Sequence, residues 1–261
     1  MATDARASIG ILQKSHDRLA SVVEPLTPEA LRGPSYDSEW TIAQVLSHLG
    51  SGAAIAMMML PAALGRAEPV GRDAFQPVWD VWNAKSPDEQ AADCLTSDST
   101  HIRTLEELSD DDLARISLPF LGMTLDAAGL VRMRLGEHAL HTWDVAVMSD
   151  RAATVLPDAV PLLIDNVAGF LAPRTGKPPR TPFRLRIRTT GPDRDYLLTA
   201  GDAVSMTDWP EEGTQADGEV RMPAEALLRL GYGRLDAAHT PDSVEGDPAD
   251  LDRLRAIFPG F

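Results

Sequence analysis

The chain has little lysine: of its 24 basic residues only Lys14, Lys85 and Lys177 are lysine, and the rest are arginine. Bases are outnumbered by 39 acids, for a net charge of −15. A nucleic-acid partner would need a basic stripe; none is visible, and none is expected. So acidic a chain repels anions as a whole, and a carboxylate ligand would need a locally placed arginine. The arginine and alanine bias points to a GC-rich genome. There is one cysteine, Cys94, which excludes an intrachain disulfide and fits a reducing cytoplasm. No apolar run reaches the ~18 residues of a spanning helix, and the opening MATDARASIG lacks a basic-then-apolar leader pattern, so no membrane partner is expected. The rest is ordinary: 44% hydrophobic and 24% charged residues over 261 positions allow one large or two modest domains, each with a core.

Helical periodicity dominates up to Asp150. Residues 4–24 carry an apolar stripe at Ile9, Leu12, Leu19, Val22 and Val23, and Pro25 ends it. Thr41 with Gln44 forms a capping box that opens a second helix, whose core stripe is Ile42, Val45, Leu46 and Leu49. His48 lies at the border of that stripe. Met57, Met58 and Met59 read as adaptable packing. A third, interrupted helix covers Phe75–Trp82 and Ser86–Leu108, with Pro87 in a first turn. His16, Cys94 and His101 have no ligand-spaced companion and read as structural. Residues 117–122 are extended, and Thr124 is expected to cap a fourth helix running to about Val147.

After Asp150 the pattern changes. Leu156–Leu171 reads as helical. Phe183 to Thr189 alternates strictly between apolar and polar, as in a half-buried strand. Tyr196–Thr199, Ala203–Thr207 and Gly218–Met222 are further strands. Pro223–Leu230 and Ala249–Phe258 are helices. The expected class is therefore α+β in two domains: a helical bundle over residues 1–151 and a small antiparallel α+β domain over 152–261. Arg184, Arg186 and Arg188 share one strand face, usually a solvated one; a contact with an acidic partner is a weak alternative. Arg234 follows a helix in a Gly-containing loop, where the backbone is free to turn it inward.

The chemistry concentrates in LVRMRLGEHALHTWDVAVMSD, residues 130–150. Glu137, His141 and Asp144 fall at i, i+4 and i+7, within about 60° of one another on a helix. A carboxylate and an imidazole one turn apart can grip a divalent metal, as the paired histidines of HExxH helices do. A third ligand must come from elsewhere, and His48 in WTIAQVLSHLG is the best donor. His138 is rotated about 100° from Glu137, so Glu137 is preferred as the ligand. From the residues alone, Glu137 and His141 could also be a buried ion pair.

WTIAQVLSHLG and RLGEHALHTWDVAV, about ninety residues apart, resemble the signature helices of the mycothiol-dependent maleylpyruvate isomerase family, a group of DinB-like metal-binding four-helix bundles. EALLRLGYGRLDAA and VEGDPADLDRLRAIFPGF resemble that family's second, sterol-carrier-like α+β domain. The resemblance implies that His48, Glu137 and His141 hold a divalent metal, with zinc the best match for a His₂Glu set. It implies that Asp144 relays a proton or orients a water at the metal. It makes Arg234 a pocket arginine that pairs with a carboxylate of substrate or thiol. The implied co-substrate is mycothiol, the sugar-linked thiol of actinobacteria. The implied reaction is addition of its thiolate to a small electrophile, giving cis–trans isomerisation or S-transfer, in a cytoplasmic monomer or homodimer. A metal-dependent hydrolase is the alternative within enzymes, and a non-catalytic metal- or ligand-binding module the alternative outside them.

Overall fold

The computed structural model describes residues 2–37, 39–120, 122–210 and 213–260. The chain divides into two compact units, Met1–Ala159 and Val160–Phe261.

The first unit runs α1 Ala2–Val23, α2 Pro28–Leu31, α3 Ile42–Ala63, α4 Gln76–Asn83, α5 Pro87–Glu106, α6 Asp110–Arg115, β1 Leu118–Phe120, β2 Met123–Leu125 and α7 Ala127–Ala146. The four long helices pack as a bundle, with α3 against α5 and α7, and α1 against α7 and α5. Local chemistry sets the helix starts. At α3 the Thr41 N–H donates to Gln44 Oε1 (2.8 Å) and the Gln44 N–H to Thr41 Oγ1 (3.2 Å), a complete capping box. Ser86 and Glu89 repeat it at α5, with Pro87 in the first turn.

The start of α7 differs from expectation. Thr124 does not cap it; it lies in β2, opposite Pro119 of β1. Gly122, at φ +79, turns that two-stranded hairpin, so the backbone is still extended at Thr124. The cap is Asp126, whose Oδ1 accepts the Gly129 N–H at 2.8 Å.

Helix α7 has 16 of its 20 residues buried, so it is the centre of the unit rather than a two-faced surface helix. Helix α3 is long and apolar enough, by composition, to cross a membrane, but half of it is buried within the bundle. Its Gly50 permits that packing: a Cβ there would stand 2.2 Å from the Trp82 ring and 3.0 Å from the Cys94 backbone. The stretch after α7 stays with the bundle. Trp143 Nε1 donates to Ala153 O (2.8 Å), Arg18 Nη2 to Thr154 O (2.6 Å), and Lys14 pairs with Asp158.

In the second unit helical turns begin at α8 Val160–Leu163, pass through a π-helical turn at Val167–Leu171 and end in α9 Ala172–Thr175. The segment starts later than the expected Leu156, with Pro161 in its first turn, where a missing N–H is harmless. Strands β3 Phe183–Thr190, β4 Arg194–Ala200, β5 Val204–Asp208 and β6 Gly218–Pro223 follow, then α10 Ala224–Gly231 and α11 Pro248–Ile257. The sheet order is β5-β4-β3-β6. The first three strands form an antiparallel meander, and β6 joins the free edge of β3 in parallel, Leu185 opposite Gly218. Phe183, Leu185, Ile187 and Thr189 are buried on one face of β3. Two arginines on its other face, Arg186 and Arg188, find acids within the unit. Arg186 grips Asp195 through two bonds of 2.9 and 2.6 Å and lies over the Trp209 ring; Arg188 reaches Glu219 at 3.8 Å.

Candidate metal centre

Helix α3 presents His48 and helix α7 presents Glu137 and His141 to one point. His48 Nε2 lies 3.1 Å and His141 Nε2 3.7 Å from the same oxygen, Glu137 Oε2. The two imidazoles stand edge to face, with centroids 4.8 Å apart. Bonds of about 2.05 Å to a tetrahedral zinc put neighbouring ligand atoms about 3.3 Å apart, close to both separations from Glu137 Oε2, and all three donors lie within 4.8 Å of one another.

The set is open on one side: the side chains of His48 and Glu137 are 36% and 48% exposed, that of His141 only 11%. Trp40, at the end of the loop before α3, covers both rings. Its centroid is 5.2 Å from that of His48 and 6.1 Å from that of His141, nearly parallel to the latter at 26°. Glu137 is half exposed, but the crowding of protein atoms around its carboxyl still works against ionisation. The hydrogen bond to His48 and the positive potential of His141, His48 and Arg134 overcome it and hold the carboxyl at about 2. Glu137 is therefore a carboxylate at any working pH.

Asp144 is fully buried and does not face the centre directly. Its Oδ2 takes the Nδ1–H of His141 at 2.8 Å. That bond fixes the tautomer and leaves the Nε2 lone pair aimed at Glu137 and His48. Arg234 belongs to the second unit. It lies in the turn after α10, partly buried, and its Nη1 donates to Tyr232 O at 2.9 Å. The same turn is tied from below by Arg229, which is buried, chelates Glu225 and donates to the carbonyls of Arg234 and His239.

His138 points elsewhere, into a second cluster that sequence reasoning did not assemble. Its Nε2 makes a very short contact with Asp98 Oδ2, and its Nδ1 meets Ser15 Oγ at 2.9 Å. His16 Nδ1 stands 3.9 Å from Asp98 Oδ2. His16, Asp98 and His138 are thus close enough to be metal ligands as well. Charge separates the two groups. Arg134 Nη2 already neutralises Asp98, at 2.5 Å, while also donating to Leu49 O at 2.7 Å. A dication there would bring its full charge into a buried site that is already neutral. At His48, Glu137 and His141 the carboxylates of Glu137 and Asp144 supply two negative charges, which a dication balances. Burial disfavours the Asp98 anion too, yet His138 and Arg134 hold its carboxyl well below the ordinary range. Nothing in the one-dimensional pattern singles out Asp98 or Arg134; only the meeting of side chains from α5 and α7 inside the bundle does.

Cys94, on α5, is fully buried. Burial, and secondarily the Asp98 charge, push its thiol far above the ordinary range, so it is held protonated and inert.

These features define a two-domain protein: a four-helix bundle carrying a His₂Glu cluster, followed by a small α+β domain. Comparison with known proteins names its kin. Residues 12–146 match the family described as mycothiol maleylpyruvate isomerase N-terminal domain, and residues 161–253 the C-terminal domain of the same proteins. The chain belongs to this enzyme family. Two crystal structures of a mycothiol-dependent maleylpyruvate isomerase, one bearing a histidine-to-alanine substitution, share its fold. Each aligns at a TM-score of 0.67 and 15% identity over 93% of this chain and 92% of the other. A search of curated proteins finds no match.

Proposed function

We propose that the protein is a mycothiol-using enzyme that acts on a small electrophile by cis–trans isomerisation, with S-transfer as the outcome when the electrophile carries a leaving group. The observation that carries this reading is the convergence of His48, Glu137 and His141 on one point, backed by the buried Asp144, in a chain of this family.

His48, Glu137 and His141 would hold a divalent cation, zinc fitting the donor set best, and such a cation lowers the pKa of a thiol so that it is a thiolate at neutral pH. Asp144 orients His141 through its Nδ1–H. Trp40 shields one side of the two imidazoles, and the exposed sides of His48 and Glu137 leave room for a ligand. Cys94 is buried and protonated, so the nucleophilic sulfur comes from a co-substrate. Thiolate addition to a conjugated double bond permits rotation about the former double bond; elimination then restores the double bond and returns the thiol. Arg234 is assigned the counter-charge for a carboxylate. A reducing cytoplasm, where the thiol stays reduced, is the fitting compartment.

The test is elemental analysis of the purified protein together with turnover assayed with and without added mycothiol. His48→Ala is expected to lose both metal and thiol-dependent turnover. Full metal content and full turnover in that variant would refute the assignment; turnover that ignores the thiol would favour a hydrolase.

A further inference from the structure

Beside the cluster, within the first unit, is a cavity of about 430 Å³ lined by Trp40, Gln44, His48, Ser51, Trp79, Asn83 and Gln90. It lies in the size range of small-molecule sites, ~300–1,000 Å³. Its chemistry is unusual for so acidic a chain. Apart from His48, the described residues of its wall carry no ionisable side chain: they supply two indoles, three carboxamides and a hydroxyl.

The carboxamides are each pinned at one end. Asn83 Oδ1 accepts from Ser47 Oγ (3.2 Å), Gln90 Nε2 donates to Trp82 O (3.1 Å), and Gln44 Oε1 accepts the Thr41 N–H. The other end of each remains to serve a ligand: the NH₂ of Asn83, the carbonyl of Gln90 and the NH₂ of Gln44. Ser51 Oγ donates to His48 O and keeps its acceptor capacity. The cavity therefore offers donors and acceptors together, beside two indoles. Away from the metal that His48 would share, the described wall offers a carboxylate no cation, and the chain's net charge of −15 opposes one. A neutral polyol meets both of its needs: hydroxyls satisfied by amides, and ring faces covered by indoles.

Resting on the reading of the protein as mycothiol-dependent, we infer that this cavity is the subsite for the uncharged sugar portion of the thiol, and that the electrophile is bound outside it. Trp40 and Trp79 cover the sugar ring; Asn83 and Gln90 hydrogen-bond its hydroxyls. The arrangement sets the sulfur toward His48, at the cavity wall.

Two measurements test this. The first is binding of the thiol-free sugar portion to the full-length, metal-loaded protein, read by tryptophan fluorescence. The wild type should show saturable binding, and Trp79→Ala and Asn83→Ala should weaken it about tenfold, the scale of one well-made hydrogen bond or ring contact. The second is the ratio of kcat/KM for mycothiol to that for free cysteine. Both variants should lower this ratio about tenfold, by raising KM for mycothiol, with metal content and unfolding midpoint as controls on folding. A wild-type ratio near one would overturn the mycothiol reading itself. A high ratio that both variants retain, or a rise in KM for the electrophile instead, would overturn the sugar subsite alone.

Discussion

Asp144→Ala should loosen the metal without unfolding the bundle. The carboxylate it removes is fully buried and accepts the Nδ1–H of His141 at 2.8 Å. Without it the imidazole can rotate or take the other tautomer, and the Nε2 lone pair is no longer fixed toward Glu137 and His48. Losing such a partner of a metal-bound histidine typically lowers metal affinity 10–100-fold, about 1.4–2.8 kcal/mol. Burial of the anion puts this case at the upper end, since a charge-assisted bond is stronger away from water. Asp144→Asn keeps an acceptor oxygen but not the charge, so its loss should be nearer tenfold. Zinc affinity measured by competition with a chromophoric chelator at pH 7.5 reads both, and urea unfolding of the same samples checks that the fold persists. If the alanine variant is folded and binds zinc within threefold of the wild type, Asp144 does not orient His141 for a metal.

Two further expectations concern the second cluster and its surroundings. Asp98→Ala strips the counter-charge from the buried Arg134 and an acceptor from His138, which should cost about 3–5 kcal/mol in urea unfolding; a loss under 1 kcal/mol would contradict the pairing. His101 is 1% exposed, and burial, assisted by the Arg134 charge, lowers its pKa from 6.5 to about 4. Between those values the unfolded chain binds more protons than the folded one, so stability rises with pH. The His101 contribution is complete above about pH 6.5, and up to about 3 kcal/mol should be lost as pH falls toward 4. His101→Gln should flatten that slope; equal slopes for the two proteins would remove His101 as its cause.

What could be read from the sequence was what is local. The Thr41–Gln44 cap needs four residues, the alternation of β3 needs seven, and the spacing of Glu137, His141 and Asp144 depends only on helix geometry. Each appears in the structure at the residues where the pattern places it. What could not be read was what depends on contact between segments. Thr124 and Asp126 are both acceptable caps, and the hairpin with β1 decides between them. Arg134 and Asp98 are 36 positions apart and sit in helices whose polar residues do not distinguish core from surface. Trp40 depends on the path of a loop. With most of α7 buried, no polar stripe remains to show which direction each histidine faces.

His138 and His141 are three residues apart on that helix yet end in different clusters, sorted by their carboxylate partners. If charge balance keeps a metal out of the Asp98 cluster, removing the balancing charge should admit one. Arg134→Gln leaves Asp98 unpaired beside His138 and His16, with a carboxylate and two imidazoles whose donor atoms lie within 4.8 Å of one another. The variant keeps a side chain able to donate to Leu49 O, so the link from α7 to α3 is not wholly lost. At saturating zinc the wild type should hold one ion per chain and Arg134→Gln two, measured by elemental analysis after gel filtration. The second ion should stabilise the variant against urea in proportion to RT ln(1 + [Zn]/Kd), a dependence the His48→Ala substitution would not abolish. Two ions in the wild type, or one ion in a folded Arg134→Gln protein, would show that charge balance does not select between the two clusters.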